Sequence, residues 1–322
     1  MLDERVSLSS VAPTPVEPMD RLGAALGLTA GRLWVKRDDL TGLAGGGNKV
    51  RKLEYLCADA LAQGSDTLVT GGGGQSNHAR TTAAAAARLG LACTIVLAAD
   101  PIDPPTGNVV LDHVLGPDIV WAGPIGYYEL ERAIEVETDR LRADGRRPYA
   151  VPIGGASTVG EVGYVAAAIE LRAQIDDVGL VVTADGSGGT HAGLAGGLGS
   201  LDLVFGVDVG TRPDLDDVVP GKARRAAARA GLPEPSGTCT IDHDRFGDGY
   251  GAPTASCREA LDLAARLEGL ILDPVYTGKA LAGLIAAARD QRVPDGRLVF
   301  LHSGGTPALF APRYATWAAQ RP

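Results

Sequence analysis

Cysteine is scarce in this chain of 322 residues, and the four present (Cys57, Cys93, Cys239 and Cys257) lie far apart with no Cys-x-x-Cys pair. That spacing excludes a disulfide framework and a thiolate zinc site, so buried thiols are the expectation. Positive charge is also in deficit, with 30 basic residues against 39 acidic ones and a net charge of -9. A general affinity for nucleic acid or anionic membrane is thereby disfavoured, and a small-molecule partner fits better. The first ten residues lack the apolar core of a signal peptide, and no later stretch approaches the roughly 18 uninterrupted apolar residues of a membrane span. A soluble, cytoplasmic protein is expected. Internal repeats and low-complexity segments are absent.

Glycine, in contrast, is in excess. The 44 glycines are about twice the share expected from an average near 7%. They cluster at 45–47, 71–74, 154–155, 186–189 and 304–305, each at the end of an apolar run or the start of a helical one. Between the clusters the chain reads as strand, loop and helix in repetition. Strands are expected at 33–37, 67–70, 93–97, 119–121, 180–182, 203–209, 270–273 and 298–302. Helices are expected at about 19–26, from 48, from 76 to 89, and at 109–115, 127–141, 157–175, 191 onward, 218–230, 254–267 and 280–289. The 45% hydrophobic content can supply the core of such an assembly. A mostly parallel sheet with helices on both faces follows, and sheets of that kind bind ligands at the carboxyl ends of their strands. Residues 53–155 read as a small β/α lobe, and the polar, glycine-rich segment 238–253 as a lid or substrate loop.

Four stretches carry candidate chemistry. Gly45-Gly46-Gly47-Asn48-Lys49 puts a lysine where a glycine loop enters a helix, with Asn48 as the expected N-cap. Partial positive charge there lowers the pKa of the ammonium and favours the amine that attacks carbonyls; a surface lysine beside a flexible loop is the alternative. Gly186, Ser187, Gly188, Gly189 and Thr190 supply backbone N–H groups and hydroxyls at a helix start, the recipe for holding phosphate. This loop is neither a Walker sequence nor a dinucleotide fingerprint, and a plain packing turn is the alternative. If the loop holds a phosphate, an aspartate there would disturb ligand binding more than folding, so Gly188→Asp is the natural probe. Ser76, Asn77 and His78 open a helix behind four glycines and could receive a carboxylate, unless Ser76 only caps the helix. Gly74-Gln75-Ser76-Asn77-His78 lacks the last glycine of a hydrolase elbow. Tyr276 follows a strand and a proline and could face the cleft as an acid or base, or sit in the core. His302 precedes Ser303-Gly304-Gly305 and reads as a core histidine.

Together, Gly46-Gly47-Asn48-Lys49, Gln75-Ser76-Asn77-His78, Gly186-Ser187 with Gly189-Thr190-His191, Asp273 to Lys279 and His302-Ser303-Gly304-Gly305 resemble the fold-type-II pyridoxal-phosphate enzymes. Within these they resemble the D-cysteine desulfhydrase and 1-aminocyclopropane-1-carboxylate deaminase family, in order along nearly the whole chain. The resemblance implies two open, mostly parallel twisted sheets with pyridoxal 5'-phosphate in the cleft between a large domain (1–52 and 156–322) and a small one (53–155). It implies a homodimer that acts on a small amino acid. Lys49 would hold the cofactor covalently and later move the substrate's Cα proton, and Asn77 would meet the ring hydroxyl. Gly186 to Thr190 would take the phosphate and Ser303 the pyridine nitrogen. Ser76, Asn77, His78 and Tyr276 would face the substrate. The expected reaction is elimination from D-cysteine, with ring-opening deamination or L-cysteate elimination as alternatives and a non-catalytic binding protein as a remote one. Deaminases of the family resemble Tyr-Glu-Gly-Lys where this chain has Tyr276-Thr277-Gly278-Lys279. Asp185 replaces a small polar residue before the phosphate loop, and a carboxylate there is expected to turn away.

Overall fold

The computed structural model describes Leu2 and residues 4–319. The chain begins with β1 (Val16–Pro18), α1 (Asp20–Ala25), β2 (Leu33–Lys36) and α2 (Lys49–Ala62). It continues with β3 (Thr67–Gly73), α3 (Asn77–Leu89), β4 (Ala92–Ala98), α4 (Asn108–Leu115), β5 (Asp118–Trp121), α5 (Tyr127–Ala143) and β6 (Pro148–Ala150). Then come α6 (Thr158–Gln174), β7 (Val178–Asp185), α7 (Gly189–Leu198), β8 (Val204–Asp208), α8 (Leu215–Arg229) and β9 (Thr240–Asp242). The last elements are α9 (Ala255–Leu263), α10 (Thr277–Arg289), β10 (Arg297–Leu301) and α11 (Pro312–Ala319).

The strands form two sheets. One has six strands in the order β1-β2-β10-β7-β8-β9, and the other has four in the order β5-β4-β3-β6. Every pairing is parallel except β1 with β2. Parallel strands are joined by helices that must cover both faces, and the apolar positions comply. Leu180, Val182, Phe205, Val207, Leu298 and Phe300 of the large sheet pack against α1 and α10. Val181, Val204, Val299 and Leu301 point the other way, to α6, α7 and α8. The small sheet is covered by α2 and α3 on one face, through Leu53, Leu56, Ala79 and Ala83, and by α5 on the other, through Leu130 and Ile134.

Glycine lets two helices approach closely. A Cβ on Gly193 of α7 would collide with Tyr164 of α6 and lie 2.5 Å from the Glu161 carbonyl oxygen. One on Gly197 would lie 2.6 Å from Ala168 Cβ. The face from which α2 rises is held by a buried charge network. Arg51 donates to Asp38 through Nε and Nη2, both at 2.9 Å, and Tyr164 donates to Asp38 at 2.6 Å. Glu170 receives Arg51 and Lys36. Burial opposes the Asp38 carboxylate, but Arg51, with Tyr164 and Lys36, outweighs it and holds the group below its ordinary value.

The fold departs from the sequence reading in a few places. Residues 270–273 are irregular, because Asp273 accepts the N–H groups of Val275, Tyr276 and Thr277 and no strand lies alongside. The short β1, β6 and β9 were not anticipated, and β9 lies inside the expected lid segment. Residues 264–268 leave the α9 helix as a π turn.

Candidate active site

Four of the glycine clusters lie at or within a few residues of a strand's carboxyl end and the fifth, 45–47, packs against the one after β10; between the two sheets the strand ends enclose a cavity of about 630 Å³. Lys49, Ser76, Asn77, His78, Gly186, Ser187, Gly188, Thr190, Tyr276 and Ser303 all line it. Gly189 does not; it sits behind the wall, where a Cβ would lie 2.9 Å from Lys52 Nζ. Helices α2, α3, α7 and α10 begin at this cavity, so four positive dipole ends face it, although the first N–H groups of α10 are already taken by Asp273.

Lys49 is the first residue of α2, and its Nζ makes no hydrogen bond or ion pair among the described residues. Burial alone lowers its ammonium to about 8. The amine is fixed in place by a backbone contact across the large sheet: Asn48 N–H donates to Ser303 O at 3.0 Å, and a Cβ on Gly304 would lie 2.8 Å from Gly47 Cα. Asn48 stands at the expected N-cap position of α2, but its side chain caps no N–H. It has helical φ and ψ, and its side chain instead donates to Thr190 Oγ1 at 3.1 Å, tying the lysine loop to the 186–190 loop.

The 186–190 loop rests on cations. Lys222 Nζ donates to Ser187 O at 3.3 Å and lies 3.5 Å from Glu161, and Lys52 Nζ donates to Gly154 O at 3.2 Å. Lys52 is buried, and burial first and Lys49's charge second push its ammonium well below the usual lysine range. An anion in the loop would relieve that cost, so the donor set fits a phosphate. Gly188 is less simple than expected: its φ is +76°, and a Cβ there would lie 2.7 Å from Val219 Cγ2. Gly188→Asp would therefore strain the backbone and the α8 packing as well as repel phosphate, and it does not separate binding from folding. Asp185 turns away, as expected, and pairs with His191.

Opposite the loop, Ser76 Oγ does accept the Ala79 N–H as a helix cap, at 3.1 Å, while still lining the cavity. Its own hydroxyl hydrogen remains to donate. Asn77 Oδ1 accepts from Asn108 Nδ2 at 2.8 Å, which leaves the Asn77 amide N–H group for a ligand. Asn108 also bonds Gln75 twice, so the start of α4 bolts this loop in place. His78 lies 2.9 Å from Thr70 Oγ1, and burial, then the charges of Lys49 and Lys52, hold it neutral. Tyr276 OH lies 2.5 Å from Tyr250 OH, and Tyr250 reaches across the cleft to within 3.3 Å of where a Gly73 Cβ would stand. The 238–253 segment thus contributes Tyr250 and Gly251 to the cavity and is anchored by Lys279 Nζ on Phe246 O. Thr277 points away from the cavity and donates to Asp273.

Sequence reasoning did not single out Lys52, Asn108 or Tyr250. Lys52 carried a signal, being three residues after Lys49 on the same helix face. Asn108 and Tyr250 carried none, because their partners are distant in sequence.

The chain resembles known proteins over nearly its whole length. A family profile described as "Pyridoxal-phosphate dependent enzyme" matches residues 8–304. A D-cysteine desulfhydrase of Salmonella newport (strain SL254) is 44% identical over 315 residues, covering 93% of this chain and 94% of that protein. The enzyme of that name from Salmonella typhimurium matches to the same extent. A crystal structure of an ACC deaminase homologue superposes with a TM-score of 0.89 at 35% identity, covering 98% of this chain and 95% of the other. Threonine deaminase isoform 2 from Solanum lycopersicum shares the fold alone, with a TM-score of 0.65 and 19% identity over 91% of this chain and 79% of that one. Lysine at the helix start, glycine loop and matched sequence agree, and the chain belongs to the pyridoxal-phosphate-dependent enzymes of fold type II.

Proposed function

We propose that this protein is a lyase that eliminates thiol from D-cysteine, using water to give pyruvate, ammonia and hydrogen sulfide. The observation that carries the reading is Lys49: a partnerless amine, lowered to about 8, that shares one cavity with an anion loop and with a second set of helix-start donors. The 44% identity to D-cysteine desulfhydrases over 93% of the chain supports the substrate.

Lys49 would hold the cofactor, with its phosphate in Gly186 to Thr190 above Lys52, its ring hydroxyl at Asn77 and its pyridine nitrogen at Ser303. When bound, the cofactor withdraws electrons from the substrate Cα. Ser303 offers a hydroxyl, which unlike a carboxylate does not require a protonated ring and suits β-elimination. Ser76 and the N–H groups at the start of α3 would receive the substrate carboxylate, with His78 neutral beside them. Lys49 Nζ would accept the Cα proton. The Tyr276 phenol, hydrogen-bonded to Tyr250, would donate toward the departing sulfur. A cyclopropane ring has a poor carbon leaving group, and Thr277, turned into Asp273, supplies no charge to drive its opening. We further take the lobes as 1–52 with 156–322 and 53–155, with α2 running across the junction, and the assembly as a homodimer.

The test is a parallel assay of D-cysteine, L-cysteine, L-cysteate and the cyclopropane amino acid. Pyruvate and sulfide from D-cysteine are expected. Preferential release of 2-oxobutyrate from the cyclopropane substrate would overturn the reading, and a preference for L-cysteate would keep the elimination but replace the substrate.

A further inference from the structure

Asp185, the last residue of β7, and His191, in the first turn of α7, flank the 186–190 loop on its two sides. Their side chains meet away from the cavity, with Asp185 Oδ2 2.7 Å from His191 Nδ1 and both fully buried. The far nitrogen of the ring, Nε2, lies 3.8 Å from Cys239 Sγ, just before β9. A carboxylate that orients an imidazole, and an imidazole that faces a thiol, is an arrangement that activates sulfur as a nucleophile.

The surrounding structure is built to admit this line of groups. A Cβ on Gly206 of β8 would collide with Asp185 Oδ2 and lie 2.7 Å from His191 Nδ1, so the pair exists only because that strand position is glycine. Burial opposes the imidazolium, but the charge and hydrogen bond of Asp185 together with the contact to Cys239 overcome it and raise His191 to about 10. At neutral pH the ring therefore carries both protons and points an N–H at the sulfur. Cys239 is also the one cysteine of the four that is not buried. Burial pushes the thiols of Cys57, Cys93 and Cys257 up to about 12, which leaves them inert.

We propose that Cys239 is an activated thiol at which low-molecular-weight disulfides modify this protein, and that the modification loosens the 186–190 loop. The Cys239 proton goes to solvent, and the sulfur attacks one sulfur of the disulfide. A Cys239 S–S bond forms, the small disulfide's own bond breaks, and its second half leaves as a thiolate that takes a proton. Cys239 is thereby oxidised at the expense of the small disulfide, and no other oxidant is needed. The attached group crowds His191, whose chain neighbour Thr190 accepts the Asn48 side chain of the lysine loop. Displacement at sulfur thus reaches both loops. The second half of the proposal rests on the phosphate role given above to 186–190, and the first half does not.

The cofactor-loaded protein is treated with bis-hydroxyethyl disulfide at neutral pH, and the label is mapped by peptide mass. The adduct is expected on Cys239 and on none of the other three cysteines. His191→Gln and Asp185→Asn, each checked for native circular dichroism, should slow it about fivefold, because the attacking sulfur loses the oriented N–H donor that faces it. The modified protein should lose its cofactor absorbance on gel filtration, while Cys239→Ser treated identically keeps it. Thr190→Val alongside shows independently whether the loop holds the cofactor. A label elsewhere or nowhere, unchanged rates in both variants, or full cofactor retention after complete modification each overturns the proposal.

Discussion

The amine of Lys49 can be titrated through its own chemistry. In the cofactor-free protein, capture of pyridoxal phosphate needs the neutral form of this side chain, and burial lowers its ammonium to about 8. About 9% of the protein is then reactive at pH 7 and half at pH 8, whereas a lysine of ordinary value near 10.5 would be only about 0.03% and 0.3% neutral. Capture should therefore run about 300-fold faster at pH 7 than for an unperturbed lysine presented in the same site. Its rate should rise about fivefold from pH 7 to pH 8, less than double again by pH 9, and be flat beyond. The assay is stopped-flow absorbance as pyridoxal phosphate meets the cofactor-free protein, kept above about pH 6.5 so that the ligand's phosphate, with its second ionisation near 6, stays dianionic. A rate that goes on climbing with unit slope to pH 10 would mean that the fold does not perturb the amine, and the case for Lys49 as a preorganised nucleophile would be lost.

Lys49→Ala should abolish the visible absorbance of bound cofactor and all turnover while leaving the thermal midpoint within a few degrees; colour that survives in the variant would assign the cofactor to another lysine. Lys279 is a poor substitute, because it is committed to Phe246 O. Lys52→Met should act in opposite directions on the two forms. The cofactor-free protein gains stability because a buried amine whose charged form burial and Lys49 disfavour is removed, and cofactor affinity falls about 10- to 100-fold, as for a charged hydrogen bond worth roughly 1.5–3 kcal/mol. Equilibrium titration together with melting of both forms reads this, and equal affinity would remove phosphate from the neighbourhood of Lys52. Arg51→Met leaves the Asp38 carboxylate buried without its main partner and should cost about 3–5 kcal/mol by urea denaturation. The folded-state pKa of Asp38 lies below its ordinary 3.8, so its contribution is present above that pH and lost as the pH falls through the folded value. Wild-type stability should accordingly decline in acid below about 4, and the decline should be shallower in the variant.

The parts of the site that were legible in the sequence are those where one residue type has a single physical use. Gly47 and Gly304 are glycines because two backbones touch there, and glycine runs at strand ends are visible without any fold. Lys49 stood out for the same reason, as a charged side chain at the mouth of such a run. Residues whose role depends on a distant partner stayed hidden. Asn108 is one polar residue among many until Gln75 and Asn77 are brought to it, and Tyr250 looked like one residue of a polar loop until Tyr276 met it. Asn48 was read as a cap because asparagine at a helix start usually is one, and Thr190, remote in sequence, took its side chain instead. Leu270, Ile271 and Leu272 alternate between buried and exposed as a strand would, yet a strand also needs a neighbour to pair with, and none of the described strands runs beside this segment. The three-residue strands β1, β6 and β9 are too short to show a period.

The place of β10 in the large sheet bears on how the molecule comes into being. The last strand of the chain lies between β2 and β7, and so joins the two ends of that sheet. The strands of the small sheet, from Thr67 to Ala150, follow one another without interruption. During synthesis the small sheet can close while the large one still lacks its middle, and β2, paired early with β1, has to wait for its parallel neighbour more than 250 residues downstream, from Lys36 to Arg297. Because the same late strand delivers the Ser303 carbonyl that fixes the lysine loop, the reactive amine is assembled at the final step of folding. A half-made chain would present separate glycine loops and no carbonyl trap, so free pyridoxal phosphate has little to react with until the protein is whole.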